Sequence, residues 1–386
     1  MNFDETYDVL RLDLLTNICN GIGDAKVPFI LGEAGIGKTS CVEKLAKDKT
    51  LKKASDCKKI VVHTISGSLL KEGEITGVPY VNLKEKMEYM INPILRKINK
   101  ASKKGGILSI LFIDELNRAD HQVMQELMVI SLGREIHGKK LPESCLVVAA
   151  GNPANPENEL VDYQVREMNT ALKSRFNFID MEVDVENWLI WATNAKTMRT
   201  EVTEFIADHP ELLLKNDSSN AFPDPRGWEK VSFTLIAKDK YNVNNKTFLN
   251  SINGTVGTNA VGMFNASLIN TRNPIIAVSK IFETKFSKES KNAVKKENDY
   301  RIIILNSRIL KFLTKKDVKN DTKGNIERYV AFLELIPKDI LRSIMTEIFN
   351  SSSKKIKTLS SKLFKVEAYA DNYLEVRNAV INMKMQ

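Results

Sequence analysis

The sequence predicts an α/β fold: a parallel sheet lying between helices, followed by a largely helical remainder. Three observations carry this. Val27-Pro28-Phe29-Ile30-Leu31 reads as a buried strand, the glycine-rich Gly32-Glu33-Ala34-Gly35-Ile36-Gly37 as a loop, and Lys38 to Lys47 as a helix. The near-continuous apolar run Ile107–Ile113 suits a central parallel strand covered on both faces, and it ends in Asp114-Glu115. Residues 286–386 read as helical, with amphipathic spacing at Ile326–Leu335 and Lys338–Phe349.

The elements follow in order. Residues 4–20 place Val9, Leu10, Leu14, Leu15 and Ile18 near helical spacing. β-branched Ile60–Ile65 predicts a second strand. Residues 84–100 read as a helix, closed by a Lys-Lys-Gly-Gly turn at 103–106. A helix over 120–132 puts Val123, Leu127 and Ile130 on one face. Gly133–Leu141 reads as a hairpin turning near His137-Gly138, and Leu146–Ala150 as a buried strand running into Gly151-Asn152-Pro153. Trp188 and Trp191 fall in a helical run after Asp184 and are expected in a core. The Asn-, Lys- and Gly-rich stretch 240–260 reads as a loop leading into a later helix, and 326–335 and 338–349 as amphipathic helices broken at Pro337.

Composition narrows the function. The chain has 386 residues, 43% hydrophobic and 27% charged, the balance of a soluble globular protein of two or three domains. The apolar runs are strand-sized, and early Asp4 and Glu5 argue against an export signal. Cys19, Cys41, Cys57 and Cys145 are scattered, which suits reduced thiols in a cytoplasmic protein. The four histidines lack metal-ligand spacing, so a metal held by side chains alone is not expected. The net charge is +9, and all the excess positive charge lies in residues 270–386, which hold 24 Lys/Arg against 13 Asp/Glu while the remainder holds 33 against 35. This is read as a solvated surface, with docking of an acidic partner as the sharper alternative.

The glycine-rich loop has a chemical reading. Glycines let successive backbone N–H groups point at the β- and γ-phosphates of a nucleotide, and the following helix N-terminus adds partial positive charge. Gly32, Glu33, Ala34, Gly35, Ile36, Gly37, Lys38, Thr39 and Ser40 are the candidate nucleotide-binding residues. Lys38 neutralises phosphate, and the Thr39 hydroxyl is a candidate Mg²⁺ ligand. Asp114 is the second candidate Mg²⁺ ligand, and Glu115 the group that polarises the attacking water. Asn152, at the end of the neighbouring strand, can reach the γ-phosphate.

These residues resemble an AAA+ ATPase, and more narrowly its MoxR-like branch. The resemblance rests on Gly32–Thr39, Gly73-Glu74-Ile75-Thr76-Gly77-Val78-Pro79, Phe112-Ile113-Asp114-Glu115-Leu116-Asn117-Arg118-Ala119, Ala149-Ala150-Gly151-Asn152-Pro153 and Ala171-Leu172-Lys173-Ser174-Arg175-Phe176. It implies Walker A at Lys38 and Thr39, Walker B at Asp114 and Glu115, and sensor 1 at Asn152. It also implies an arginine finger at Arg175, with Arg166 as rival, and a sensor 2 arginine at Arg226. Arg118 is assigned to a subunit interface or to the surroundings of the site. The implied domains are a core over 1–182, a helical lid over 183–285 and a basic helical region over 286–386.

The resemblance implies a ring, a hexamer, that hydrolyses ATP with Mg²⁺ to remodel a protein client, such as one carrying a von Willebrand factor A domain. The insert near 67–83 and the hairpin near 133–141 are expected to face partner or pore. The alternative is a nucleic-acid-associated motor subunit of restriction or defence type. Gly151–Pro156 lacks the Met-Asn-Thr-Ala-Asp-Arg type string of restriction GTPases, and no nucleic-acid-binding motif is evident. A scaffold without turnover is disfavoured by the presence of both Glu115 and Arg175.

Overall fold

In the computed structural model, five apolar runs come together as one parallel sheet. All residues are described except 22–25, 83–85, 91, 137–138, 155–167, 169–172, 216–220, 270–274, 283–285, 316–321, 352, 367–368, 371–373 and 375–386. Two compact units emerge. The first holds Met1–Asp184 together with Asp224–Arg226; the second holds Val185–Lys215 and the chain from Gly227 onward.

The strands of the first unit are β1 (Val27–Leu31), β2 (Lys59–Ser66), β3 (Val78–Val81), β4 (Met87–Met90), β5 (Ile107–Asp114), β6 (Glu135–Ile136), β7 (Lys139–Lys140), β8 (Cys145–Gly151) and β9 (Phe176–Asp180). The main sheet runs β2-β5-β8-β1-β9, every neighbouring pair parallel. Register aligns the strand ends. Ser66 lies opposite Asp114, and Leu31 lies opposite both Gly151 and Asp180. The carboxyl ends of all five strands therefore share one edge, where open α/β sheets bind ligands.

The central strands are buried on both faces, as their sequence requires. Ile110 to Ile113 of β5 are fully buried, and β8 is buried throughout. Truncating one such side chain, Leu111→Ala for example, costs about 2–5 kcal/mol. Helices α1 (Phe3–Asn20), α2 (Lys38–Lys44), α3 (Lys49–Ala54), α4 (Pro93–Lys104) and α5 (His121–Met128) complete the first unit's described helices. α1 starts in a capping box in which the Asn2 side chain accepts from Glu5 N and the Glu5 side chain accepts from Asn2 N.

The second unit is helical among its described residues: α6 (Val185–Asn194), α7 (Thr200–Asp208), α8 (Pro225–Tyr241), α9 (Asn245–Val256), α10 (Thr258–Ile269), α11 (Val278–Phe282), α12 (Lys288–Lys295), α13 (Asp299–Leu313), α14 (Thr322–Leu333), α15 (Lys338–Asn350) and α16 (Lys354–Leu363). α8 begins in the first unit and continues into the second from Gly227. α13 packs on α6 and α7, with Ile302 to Leu305 and Ile309 buried. Phe205, Trp228 and Phe264 form an aromatic cluster with ring centroids 5.2–5.9 Å apart. No helix among the described residues is long and apolar enough to cross a membrane.

Several local expectations are corrected. The helix expected over 84–100 starts only at Pro93: Asn92 caps it by accepting from Ile94 N, and Met87–Met90 instead pairs antiparallel with Val78–Val81. Pro93 fits a first helical turn because the N–H it lacks would be unpaired there. The stretch 240–260 is not a loop. Phe248, Ile252 and Val256, four apart, form the buried stripe of α9, and Gly257 at φ +81° ends it. The helix at 120–132 is α-helical to Met128 and π-helical over Val129–Gly133, and that after Lys38 turns 3₁₀ at Leu45–Lys47. Trp188 is buried, but Trp191 is 45% exposed and is not core. The expected turn at His137-Gly138 lies outside the described residues.

Candidate active site

β1 delivers the chain to the shared edge at Leu31, where the glycine-rich loop begins. Two of its glycines adopt conformations that other residues rarely take: Gly35 at φ +80° and Gly37 at φ +106°. Gly37 is the N-cap of α2, so the loop passes straight into a helix whose first turn carries Lys38, Thr39 and the exposed Ser40. A Cβ on Gly35 would fall 2.1 Å from Asp224 Oδ2.

Lys38 is 9% exposed and folds back across the loop. Its Nζ donates to Gly32 O (2.6 Å), Glu33 O (2.8 Å) and Asn152 Oδ1 (2.9 Å). These account for all three donors of an ammonium group. Burial pushes its pKa down to about 8, against the opposing pull of Asp114, Glu33 and Glu115; the positive charge of Arg226 lowers it further. A buried cation cradled by neutral carbonyls favours an incoming anion.

The strand register brings the two candidate Mg²⁺ ligands together. Thr39 Oγ1 donates to Asp114 Oδ2 at 3.0 Å, while Asp114 Oδ1 accepts from Glu115 N at 3.0 Å. A hydroxyl and a carboxylate in contact are hard oxygen donors that suit Mg²⁺.

Glu115 leaves β5 in a left-handed conformation, φ 54° and ψ 36°, and caps the 3₁₀ turn Leu116–Arg118. Its carboxylate is held on both sides. Ser66 Oγ (3.3 Å) and Ser68 Oγ donate to Oε2, and Arg118 Nη1 donates to Oε1 at 2.7 Å. Burial pushes the Glu115 pKa up, but the Ser68 bond, the Arg118 charge and the Ser66 bond outweigh it and hold the carboxyl below its usual range. The group is ionised, as a water-polarising base must be.

Asn152 is 3% exposed, one residue beyond β8. Its own amide backbone is clasped by Asn117: the Asn117 Nδ2 donates to Asn152 O (2.7 Å), and Asn152 N donates to Asn117 Oδ1 (3.2 Å).

The arginines are divided between the site and the far end of the sheet. Arg175 is exposed, and its carbonyl accepts from Val27 N at the start of β1, the end of the sheet opposite the loop. From Val27 to Leu31 the strand rises about 13 Å, so Arg175 is remote from its own chain's loop. Arg226 is exposed, groups with the first unit and acts on Lys38 through its charge. Arg118 sits on Glu115, in the surroundings of the site. Arg166 and most of the helical stretch ahead of Arg175 lie outside the described residues.

Three polar residues around the site have no role that the sequence assigns: Ser66, Ser68 and the buried Asn117. Pairing of β2 with β5 would have pointed to Ser66 as the neighbour of Asp114. Ser68 carries no local signal, because it acts through a turn, and Asn117 stands in the string Phe112–Ala119 but its partner Asn152 is set by the tertiary fold.

Residues 29–175 match the family model for the ATPase family associated with various cellular activities (AAA). The match takes in Lys38, Thr39, Asp114, Glu115, Asn152 and Arg175, and it identifies this stretch as an AAA ATPase domain that binds and hydrolyses ATP. No curated protein matches the chain. Among solved structures, the RuvB Holliday junction branch migration motor of Thermotoga maritima is 15% identical, covering 72% of this chain and 76% of its own at a TM-score of 0.34. PCH-2 of C. elegans is 12% identical, covering 69% and 67% at a TM-score of 0.33. A Cytophaga hutchinsonii protein described as an ATPase is 17% identical, covering 88% of each chain at a TM-score of 0.29. All three are distant likenesses that fix neither substrate nor partner.

Proposed function

We propose that the AAA ATPase domain over residues 29–175 is the motor of a MoxR-like, Mg²⁺-dependent ring, a hexamer of this chain in the cytoplasm, that remodels or assembles a protein partner. One observation carries the ring. Lys38, Thr39, Asp114, Glu115 and Asn152 gather at one edge of the sheet, while the exposed Arg175 lies at the other. A chain so built supplies an incomplete site and offers its arginine to a neighbour.

In this reading ATP lodges on the loop Gly32–Thr39, and Lys38 exchanges carbonyl partners for phosphate oxygens. Thr39 and Asp114 would hold Mg²⁺, which would supply neutralisation of the phosphate charge. Glu115 leaves Ser66, Ser68 and Arg118 to take a proton from the attacking water. Asn152 orients that water or the γ-phosphate, and the neighbour's copy of Arg175 stabilises the transition-state charge. Arg226 acts as sensor 2 at the start of α8, a helix of a lid spanning 183–285, with 286–386 as an added basic region.

The β3–β4 hairpin is our candidate client contact. Tyr80, Val81, Met87 and Met90 are all exposed on it, and Glu126 of α5 ties its base by accepting from Gly73 N (3.0 Å) and Thr76 N (3.4 Å). The basic residues of 270–386 suit an acidic client, such as a von Willebrand factor A domain.

The test is subunit mixing. Lys38→Ala chains bind no ATP but carry Arg175; Arg175→Ala chains bind ATP but offer no finger. Each alone should be inactive, and an equimolar mixture should recover ATPase activity. No recovery, in mixtures shown to co-assemble, would remove the shared-site reading.

A further inference from the structure

Where β5 stops, the chain leaving β8 loses its strand neighbour on that side. The β5–β8 pairing ends at Ile113 and Ala149. Past Asp114 the chain turns away, with Glu115 at φ 54° and the 3₁₀ turn Leu116–Arg118. Asn152 nevertheless continues inward and is 3% exposed, so its backbone N–H and C=O cannot be left to water. Both are satisfied by one side chain. Asn117, itself 3% exposed, donates to Asn152 O at 2.7 Å and accepts from Asn152 N at 3.2 Å. The carboxamide thus stands in for the missing strand, and no apolar residue could do this. Space is reserved for it: a Cβ on Gly151 would lie 2.3 Å from Asn117 Oδ1.

The clasp has a consequence for the site. Fixing the peptide of Asn152 fixes the root of its side chain, whose Oδ1 accepts from Lys38 Nζ at 2.9 Å. The same 3₁₀ turn carries Arg118, whose Nη1 holds the Glu115 carboxylate at 2.7 Å. One short turn therefore grips the backbone of Asn152 with its second residue and the Glu115 carboxylate with its third.

We infer that Asn117 is a positioning residue for ATP hydrolysis: its side chain clasps the backbone of Asn152 and so sets the γ-phosphate sensor relative to Lys38 and Glu115. The inference rests on the reading of Asn152 as the sensor.

The test is a double-mutant cycle in the full-length chain, with kcat, KM and ATP-analogue affinity measured for each variant. Asn117→Asp keeps the acceptor and loses the donor; Asn117→Ala loses both. Misplacing a reacting group by about 1 Å costs on the order of a hundredfold. Asn117→Ala should therefore lower kcat by about ten- to a hundredfold, and Asn117→Asp by less, with affinity changed by less than about threefold. In an Asn152→Ala background, adding Asn117→Ala should cost no further kcat, because nothing remains to be positioned. Melting temperature separates this from a folding defect, which would lower affinity and kcat together in both backgrounds and would overturn the positioning role. So would equal losses from Asn117→Ala in the two backgrounds, or parental kcat in Asn117→Ala while Asn152→Ala is slow. A parental kcat in Asn152→Ala would instead remove the sensor assignment beneath the inference.

Discussion

Lys38 and Asn152, 114 positions apart, meet through a 2.9 Å hydrogen bond at the carboxyl edge of the sheet. The contact closes the loop on itself: the lysine's charge is spent on two carbonyls and an amide until something more anionic arrives. Loop and Asn152 are thereby coupled.

This coupling gives nucleotide binding a pH dependence. Burial holds Lys38 at about 8, and an adjacent triphosphate favours the charged form and raises that value. The bound state then has the higher pKa, so affinity is full below about 8 and declines as pH rises through it. Calorimetric titration with a non-hydrolysable ATP analogue at about pH 7 and about pH 9 should show weaker binding and net proton uptake at the higher pH. Equal affinities with no proton uptake would contradict the assignment.

The Glu115 carboxylate should set the acid limb of the ATPase pH profile. Ser68, Arg118 and Ser66 together hold its pKa low against the effect of burial. As the base we propose, Glu115 acts in its ionised form, so activity should fall as pH drops through that pKa. Arg118→Ala removes one of the lowering influences and should move the acid limb to higher pH, while Glu115→Gln should abolish turnover and retain ATP binding. Turnover by Glu115→Gln at the parental rate would dismiss it as the base.

Metal dependence should trace to Thr39 and Asp114, which touch at 3.0 Å. Chelation of divalent cations should stop hydrolysis. Thr39→Val keeps the shape of the side chain but loses the hydroxyl, and should raise the Mg²⁺ concentration needed for half-maximal rate by about tenfold or more. An unchanged Mg²⁺ requirement would take Thr39 out of the metal site.

Gly37→Ala tests the loop's backbone. At φ +106° a side chain strains the N-cap of α2 by about 1–2 kcal/mol. The variant should melt lower and bind nucleotide several-fold more weakly, since the relaxed loop no longer aims its N–H groups. Parental affinity would show that this conformation is not needed for binding.

Much of this was legible from local pattern. The loop residues, the run Ile107–Ile113 and the acidic pair after it depend on composition within a few positions, and the structure puts Lys38, Thr39, Asp114 and Asn152 together. The errors arose where local pattern was weak. Residues 87–90 were expected in a helix and form a hairpin strand, because Asn92-Pro93 delays the helix start. The Asn-rich stretch 240–260 was expected as a loop and is helical, because Phe248, Ile252 and Val256 bury one face.

The order of residues along the chain settled the inventory: a glycine-rich turn able to receive phosphate, and the strands and carboxylates to set beside it. Hydrophobic period and glycine conformational freedom are properties of neighbouring residues, so they can be read directly from the chain. Folding in three dimensions settled which of these residues keep company. Strand register, a relation between distant segments, set Ser66 beside Asp114 and placed Arg175 at the far end of the sheet from Lys38. Asn117 became the clasp of Asn152 because a buried peptide past the end of β8 needed partners that only that turn could bring.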